Sequence, residues 1–161
     1  MSNWRKQLQT LDVSKLKLKN SSTVENELKR HAAILADCIM EELDNVYDAR
    51  TPKVYQRSFD LYNSLYIDDV VRVDVSVKGA SLSIGLHFDD GAIHQSFSGE
   101  DANTAVLLNE GWQTHGSFSH VPYLGYREGT HFIEKGIMKY KQKVQNPFRV
   151  RFVLNNEVRG F

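Results

Sequence analysis

Two histidines and two aspartates lie close together in the middle of the sequence, where they could bind a metal ion. They are His87, Asp89, Asp90 and His94. Imidazole nitrogens and carboxylate oxygens are common ligands of zinc, iron and manganese, and such a site could serve a small metal-dependent hydrolase. Asp-Asp-Gly is equally typical of a turn after a strand, because Asp bonds to nearby backbone and Gly tolerates positive φ. We therefore predict a turn and keep the hydrolase as an alternative.

The single cysteine, Cys38, is the other side chain that could act as a nucleophile. It falls between Leu35 and Ile39 in a helical pattern, where burial would raise the pKa of the thiol and block access to a substrate. The sequence contains neither a Gly-x-Ser-x-Gly elbow nor glycines with the spacing of a phosphate-binding loop. We predict that the chain is not an enzyme and binds no metal or cofactor.

A group of basic residues in the last third of the chain could contact nucleic acid. Its members are Lys135, Lys139, Lys141, Lys143, Arg149 and Arg151. The whole chain has 20 basic and 20 acidic residues, so its formal net charge is zero. It therefore lacks the overall positive field of most nucleic-acid-binding proteins. We favour a solvated basic helix face, and a nucleic-acid-binding module remains an alternative.

A long amphipathic helix is predicted to begin near Ser22. Ser22 and Glu25 have the spacing of a capping box, and Glu25 and Lys29 have that of a helical ion pair. Pro52 ends the pattern. His31 lies at the edge of the apolar stripe, which predicts a hydrogen-bonded histidine at the edge of the core. The stripe recurs every three or four positions for about seven turns: Val24, Leu28, Ala32, Leu35, Ile39, Leu43 and Val46.

The remaining pattern predicts a sheet and a second helix. Alternating apolar residues over 71–88 indicate an antiparallel hairpin, and a strand at 148–154 is predicted to return to the same sheet. Residues 101–108 predict a short helix closed by Gly111 or a third strand. Thr130 is the predicted N-cap of a second helix that ends before Pro147. The predicted fold class is α+β, with a long N-terminal helix and a second helix packed on one face of an antiparallel β-sheet.

The length of 161 residues suits one folded unit. We predict a polar N-terminal arm at residues 1–21 and a single α+β domain at residues 22–161. The first residues lack the apolar stretch of a signal peptide, and no run approaches the ~20 apolar residues of a membrane span. We therefore expect the protein to be made in the cytosol and to have no membrane partner.

The connection from Trp112 to Gly129 is unusually long and aromatic. Connections beyond about 12–15 residues without regular structure are usually functional or disordered. Disordered segments are poor in aromatic residues, so this one should be ordered against its own core or against another subunit. Aromatic side chains are favoured at the centres of interfaces. The candidate subunit-interface residues are Trp4, Glu110, Gly111, Trp112, Phe118, Tyr123 and Tyr126.

Three short segments stand out by their order and spacing: RSFDLYNS at 57–64, AVLLNEG at 105–111 and GTHFIEKG at 129–136. In that order and spacing they resemble the tail-completion, or neck, proteins of long-tailed bacteriophages. The likeness runs from about Val24 to Val144. Ser58 and Phe59 stand where the family more usually has Thr-Gly, and the charged C-terminal strand lies beyond the typical pattern.

The resemblance implies a structural virion protein that forms a ring, and it implies that the ring is a hexamer in the virion. It further implies two partners, the head connector or stopper protein on one side and the tail terminator protein on the other. DNA would be met only as it passes through the lumen of the ring. The protein would occupy the host cytoplasm during assembly and the neck of the finished virion.

Overall fold

The computed structural model describes residues 23–49, 60–76, 79–89, 92–95, 101–113, 126–145, 148–154 and 157–160. The predicted arm at 1–21, with Trp4, lies outside these residues, as do Phe118 and Tyr123.

Helix α1 spans Val24–Asp48. Its N-cap is Thr23, whose hydroxyl accepts a hydrogen bond from the Asn26 backbone N–H at 3.2 Å, so the prediction of Ser22 as the cap is wrong. The cap moves by one residue because both side chains are good acceptors, and local spacing alone cannot choose between them. The predicted ion pair is confirmed, with 3.0 Å between Lys29 Nζ and Glu25 Oε1.

The core lies between α1 and helix α4, which spans Phe132–Lys143. Leu43 and Phe132 are fully buried, and Ile39 and Ile137 are nearly so. The two helices approach closely at Gly136, where an added Cβ would lie 2.7 Å from the Ile39 Cα atom. Ion pairs join the same helices at the surface: Lys139 Nζ lies 2.7 Å from Glu41 and 3.1 Å from Glu42. The apolar stripes that the sequence predicts therefore face each other.

Most of the other regular structure in the described residues consists of short antiparallel ladders. In the described residues they form five separate two-stranded pairs. The strands are β1 Leu65–Ile67, β2 Arg72–Ser76, β3 Gly79–Ser83, β4 Leu86–Phe88, β5 Ile93–Gln95, β6 Asp101–Asn103, β7 Gly111–Gln113, β8 Tyr126–Glu128, β9 Arg151–Leu154 and β10 Glu157–Gly160. The pairs are β1 with β4, β2 with β3, β5 with β6, β7 with β8, and β9 with β10.

The predicted hairpin is correct in its first half and divided in its second. β2 pairs with β3 as expected, but the pattern then breaks at Gly85, and β4 pairs with β1 instead. The Asp68 backbone N–H donates to the Gly85 carbonyl at 2.9 Å, and a Cβ at Gly85 would collide with the Asp68 carboxylate. Gly85 therefore lies where the β2–β3 ladder ends and the β1–β4 ladder begins, and a side chain there would require the ends of the His87 and Asp68 side chains to shift.

The other predicted elements need two adjustments. Residues 101–108 contain both of the alternatives, because β6 leads directly into helix α3, Thr104–Glu110. A helical turn, α2, covers Asp60–Asn63. Among the described strands, β9 pairs only with β10, so the predicted return to the sheet of β2 and β3 is wrong for these residues, although Val150 and Phe152 pack against the core. Packing against the helices, rather than extension of one ladder, places this segment.

The predicted α+β class is confirmed: the long helix α1 packs against α4 and against small antiparallel ladders. None of the helices in the described part of the chain combines the length and apolar character that crossing a membrane requires.

His31 is held inside the helix pair, as the sequence predicts. Its Nδ1 lies 2.7 Å from the Tyr140 hydroxyl, and its Nε2 lies 3.1 Å from the Arg30 guanidinium. Because Arg30 can only donate, Nε2 accepts and Nδ1 carries the proton. Burial of the ring first, and the Arg30 charge second, lower the pKa of His31 below 6.5, while Glu27 acts in the opposite sense. The neutral imidazole is thus the native form.

Acidification is expected to destabilise the fold through His31. Its folded pKa lies below the unfolded value, so the unfolded chain binds more protons once the pH falls through about 6.5. The free energy of unfolding should be constant above that pH in this respect and fall below it, at up to about 1.4 kcal/mol per pH unit for one proton. Denaturant titrations at pH 7.5, 6.5 and 5.5 measure this. His31→Gln should flatten the slope, and an equal slope in that variant would contradict the assignment.

Candidate functional site at the junction of α3 and α4

Asn109 is the buried centre of the junction between α3 and α4. It is fully inaccessible to solvent, although it carries two polar atoms. Its Oδ1 accepts a hydrogen bond from the Ile133 backbone N–H at 3.1 Å, and its Nδ2 donates to Glu110 Oε1 at 2.9 Å. The first turn of α4 is therefore capped by a side chain from α3, 24 residues earlier in the chain. One buried amide fixes the position of both helix ends.

Thr130 and His131 complete the junction through backbone contacts. The Thr130 N–H donates to the Leu108 carbonyl at 3.0 Å, and the His131 N–H donates to the Asn109 carbonyl at 3.0 Å. Thr130 was predicted to be the N-cap of α4, and that prediction is wrong. The N-cap is His131, and the Thr130 hydroxyl instead donates to the Leu108 carbonyl at 2.8 Å. Local spacing predicts that the Thr130 hydroxyl caps the helix, but the hydroxyl bonds to the Leu108 carbonyl, which is distant in sequence.

Two glycines allow the backbones to meet at this point. Gly111 closes α3, as the helical alternative predicts, and its φ of 87° is a conformation that glycine adopts without strain. A Cβ there would collide with the Arg127 carbonyl oxygen, and a Cβ at Gly129 would collide with the Asn109 carbonyl oxygen. Both positions therefore require glycine, the first for its φ and for space, the second for space alone.

Beyond the glycines the chain forms the β7–β8 ladder. Gly111 lies opposite Glu128, Trp112 opposite Arg127, and Gln113 opposite Tyr126. The Arg127 guanidinium carbon lies 4.6 Å from the centroid of the Trp112 ring, in the geometry of a cation–π contact. Both side chains are half-buried. The sequence suggests that the connection from Trp112 to Gly129 has no regular structure. In the structure, both of its ends are paired in the β7–β8 ladder.

A histidine and two carboxylates converge beside Asn109. Glu110, His131 and Glu134 each offer one ligand atom, and these atoms lie within 4.8 Å of one another. His131 adopts a left-handed conformation, with φ of 51° and ψ of 37°. Its side chain is exposed, and the two glutamates are half-buried. Sequence reasoning missed this cluster because Glu110 and His131 approach only through the α3–α4 contact. The signal available was the glutamate three residues after the histidine.

The structure brings Glu110, Gly111 and Trp112 together at the junction, as expected of neighbours in sequence. The backbone of Tyr126 joins them in β8, and its side chain lies outside the description. Trp4, Phe118 and Tyr123 are beyond the described residues. Four of the seven candidate interface positions therefore meet in one place, together with Arg127, which the sequence did not single out.

The residues of the two alternative functions have other neighbours. His87 Nε2 lies 3.2 Å from Asp68 Oδ1, and its ring stacks on Tyr66 at 5.3 Å between centroids. Asp90 and the His94 side chain lie outside the described residues, so the hydrolase alternative stays a prediction.

The basic residues of α4 are partly neutralised. Lys139 is paired with Glu41 and Glu42, and Lys143 Nζ lies 3.3 Å from Glu41. Hydrogen bonds from these lysines lower the pKa of Glu41. Lys135, Arg149 and Arg151 are exposed. The acidic face of α1 thus lies against two of the six basic residues, which weakens the attraction of the group for phosphate.

Comparison with known proteins found no match to a family model, to a curated protein or to a solved structure.

Proposed function

We propose that this chain is a structural protein of the bacteriophage head–tail junction. As a tail-completion or neck protein, it assembles into a hexameric ring between the head connector or stopper protein and the tail terminator protein. DNA passes through the lumen of the ring, and no membrane takes part. The protein occupies the host cytoplasm during assembly and the virion neck afterwards. No catalytic step is needed for this role.

The observation that carries the proposal is the α3–α4 junction. Two of the three segments that resemble neck proteins, 105–111 and 129–136, meet there through four hydrogen bonds. The remaining segment, 57–64, contributes Leu61 to the core and ends at the buried Ser64. The segments that resemble the neck proteins are thus far apart in sequence but belong to one structural unit. This supports a fold in common with that family more strongly than any single motif does.

The β7–β8 ladder is the part of this unit best suited to contact another subunit. Among the described strands, β7 and β8 pair only with each other, so each has an edge to which no described strand bonds. Tryptophan and arginine, which are stacked here, are the residue types most enriched at interface hot spots. We infer that the ladder and the connection between its strands form the contact between neighbouring copies.

A double substitution tests the interface. Trp112→Ala with Tyr123→Ala should leave the thermal unfolding of the isolated chain nearly unchanged, yet reduce joining of heads to tails at least about tenfold, as expected when an interface hot spot is lost. The assay adds purified protein to heads and tails from a phage that lacks this gene, and counts infectious particles. The matched control is Tyr66→Ala, which removes an exposed aromatic residue, 51% accessible, from β1.

The outcomes separate the possibilities. Unfolding of the double variant would place both residues in the core of their own chain and would refute the interface. Normal joining by the double variant would refute it as well. A salt-dependent affinity of the wild-type chain for DNA without a ring would instead favour the nucleic-acid-binding alternative.

A further inference from the structure

We propose that Glu110, His131 and Glu134 form a binding site for a divalent transition-metal ion. The three ligand atoms lie within 4.8 Å of one another. Glu110 is the last residue of α3, His131 is the N-cap of α4, and Glu134 lies in the first turn of α4. An ion here would join the end of one helix to the start of the next. The site does not depend on the proposed role in a virion.

The chemistry of the three side chains selects the class of metal. One imidazole nitrogen and two carboxylate oxygens suit Zn²⁺, Mn²⁺ or Fe²⁺ better than Ca²⁺ or Mg²⁺, which prefer oxygen ligands alone. Metal–ligand distances of about 2.0–2.2 Å place the ligand atoms of a tetrahedral ion about 3.4 Å apart, so atoms at the present limit of 4.8 Å would have to approach by about 1.4 Å. Half-buried and exposed side chains can make that movement by rotation. Two carboxylates also balance the charge of a divalent ion.

Asn109 gives the cluster the support that metal ligands usually have. Ligating side chains are normally oriented by a hydrogen bond to a neighbouring group, and Asn109 Nδ2 donates such a bond to Glu110 at 2.9 Å. The other end of the same amide holds the Ile133 N–H, the residue before Glu134. The ligands on α3 and α4 are therefore positioned relative to each other by one fully buried residue. The arrangement exists before any ion binds.

The electrostatics of the helix ends do not prevent binding. The N-terminus of α4 carries partial positive charge, which repels a cation, but Glu110 lies at the C-terminal end of α3, where the partial charge is negative. The two carboxylates then decide the sign of the local field. The exposed position of His131 leaves coordination positions open to water, and the structural role that we assign to the ion follows from its ligands lying on the ends of both α3 and α4.

Zinc titration of chelator-treated protein tests the proposal. Calorimetry should give one Zn²⁺ per chain, and Zn²⁺ at about one hundred times its Kd should raise the midpoint of thermal unfolding by about 5–10 °C. Mn²⁺ serves as the second probe. The key variant is His131→Gly, because glycine adopts the left-handed conformation of residue 131 without strain. Its metal-free form should be at least as stable as the wild type, and its affinity for Zn²⁺ should be lower by at least about tenfold.

Glu134→Gln tests the second ligand, and two substitutions serve as controls. His87→Ala removes a histidine outside the cluster, and Glu128→Gln removes an exposed carboxylate from the neighbouring strand. Both controls should keep the affinity and the thermal shift of the wild type. The proposal is overturned if the wild type shows no saturable binding, or if His131→Gly binds Zn²⁺ as tightly as the wild type. It is also overturned if His87→Ala abolishes binding.

Discussion

Replacing Asn109 with Ala is expected to lower the free energy of unfolding by about 3 kcal/mol. The substitution removes the acceptor that caps α4 and leaves the Ile133 N–H buried without its partner. It also leaves a cavity, because Asn109 is fully buried. Urea unfolding followed by circular dichroism measures the loss. The slope with urea should stay unchanged, since the surface exposed on unfolding is the same.

Two further variants isolate the reason for the loss. Asn103→Ala removes the ordinary N-cap of α3, whose Oδ1 accepts from the Ala105 N–H at 2.9 Å, and should cost about 1 kcal/mol. Asn109→Asp keeps the acceptor for Ile133 but replaces the donor to Glu110 by a second carboxylate. Its loss should lie between those of the two alanine variants. A loss at Asn109→Ala no larger than that at Asn103→Ala would show that the amide does not connect the helices.

Gly136→Ala is expected to destabilise the protein by about 2 kcal/mol, although the same change in an ordinary helix would stabilise by about 1 kcal/mol. The reversal of sign comes from the helix pair. The new methyl group would lie 2.7 Å from Ile39 Cα and 2.7 Å from Ile39 Cγ1, so α1 must move away. Thermal unfolding of the variant and the wild type compares the two effects directly.

A double-mutant cycle with Ile39→Ala locates the overlap. Removing the Ile39 side chain relieves the contact with Cγ1 but not the contact with the Cα atom. The two losses should therefore combine to less than their sum, with only partial rescue. A stabilising effect of Gly136→Ala alone would mean that the helices are further apart than described, and it would contradict the packing of α1 against α4.

Periodic patterns predicted the elements whose burial is decided within the segment itself. α1 and α4 follow from apolar residues at helical spacing, because the buried face of a helix repeats along its own sequence. The positive φ of Gly111 was also predictable, since glycine after a helical segment commonly has a positive φ, although its ψ of 174° is not that of the usual left-handed cap. The pairing of β2 with β3 was predictable as a hairpin, but the pairing of β4 with β1 was not, because a local pattern does not encode which of several alternating segments pair.

The residues of the candidate site are likewise predictable from the sequence only in part. Glu110, Gly111 and Trp112 are consecutive in the sequence. A sequence argument that selects one of them therefore locates this part of the site. The partners across the junction depend on the contact between Asn109 and Ile133, and no local preference indicates that a buried amide would cap a different helix. Thr130 shows why local preference fails here: it is a good capping residue next to α4, but its hydroxyl donates to the Leu108 carbonyl instead.

Cys38 gives the protein an internal reporter of helix separation. It is the only cysteine of the chain, it is fully buried in α1, and the charges of Lys143 and Lys139 on α4 reach it. Burial raises the pKa of its thiol, which keeps the reactive thiolate scarce in the native state. A thiol reagent can therefore modify the chain only when α1 opens away from its surroundings. The rate of labelling under native conditions reads out the frequency of that opening without any engineered probe.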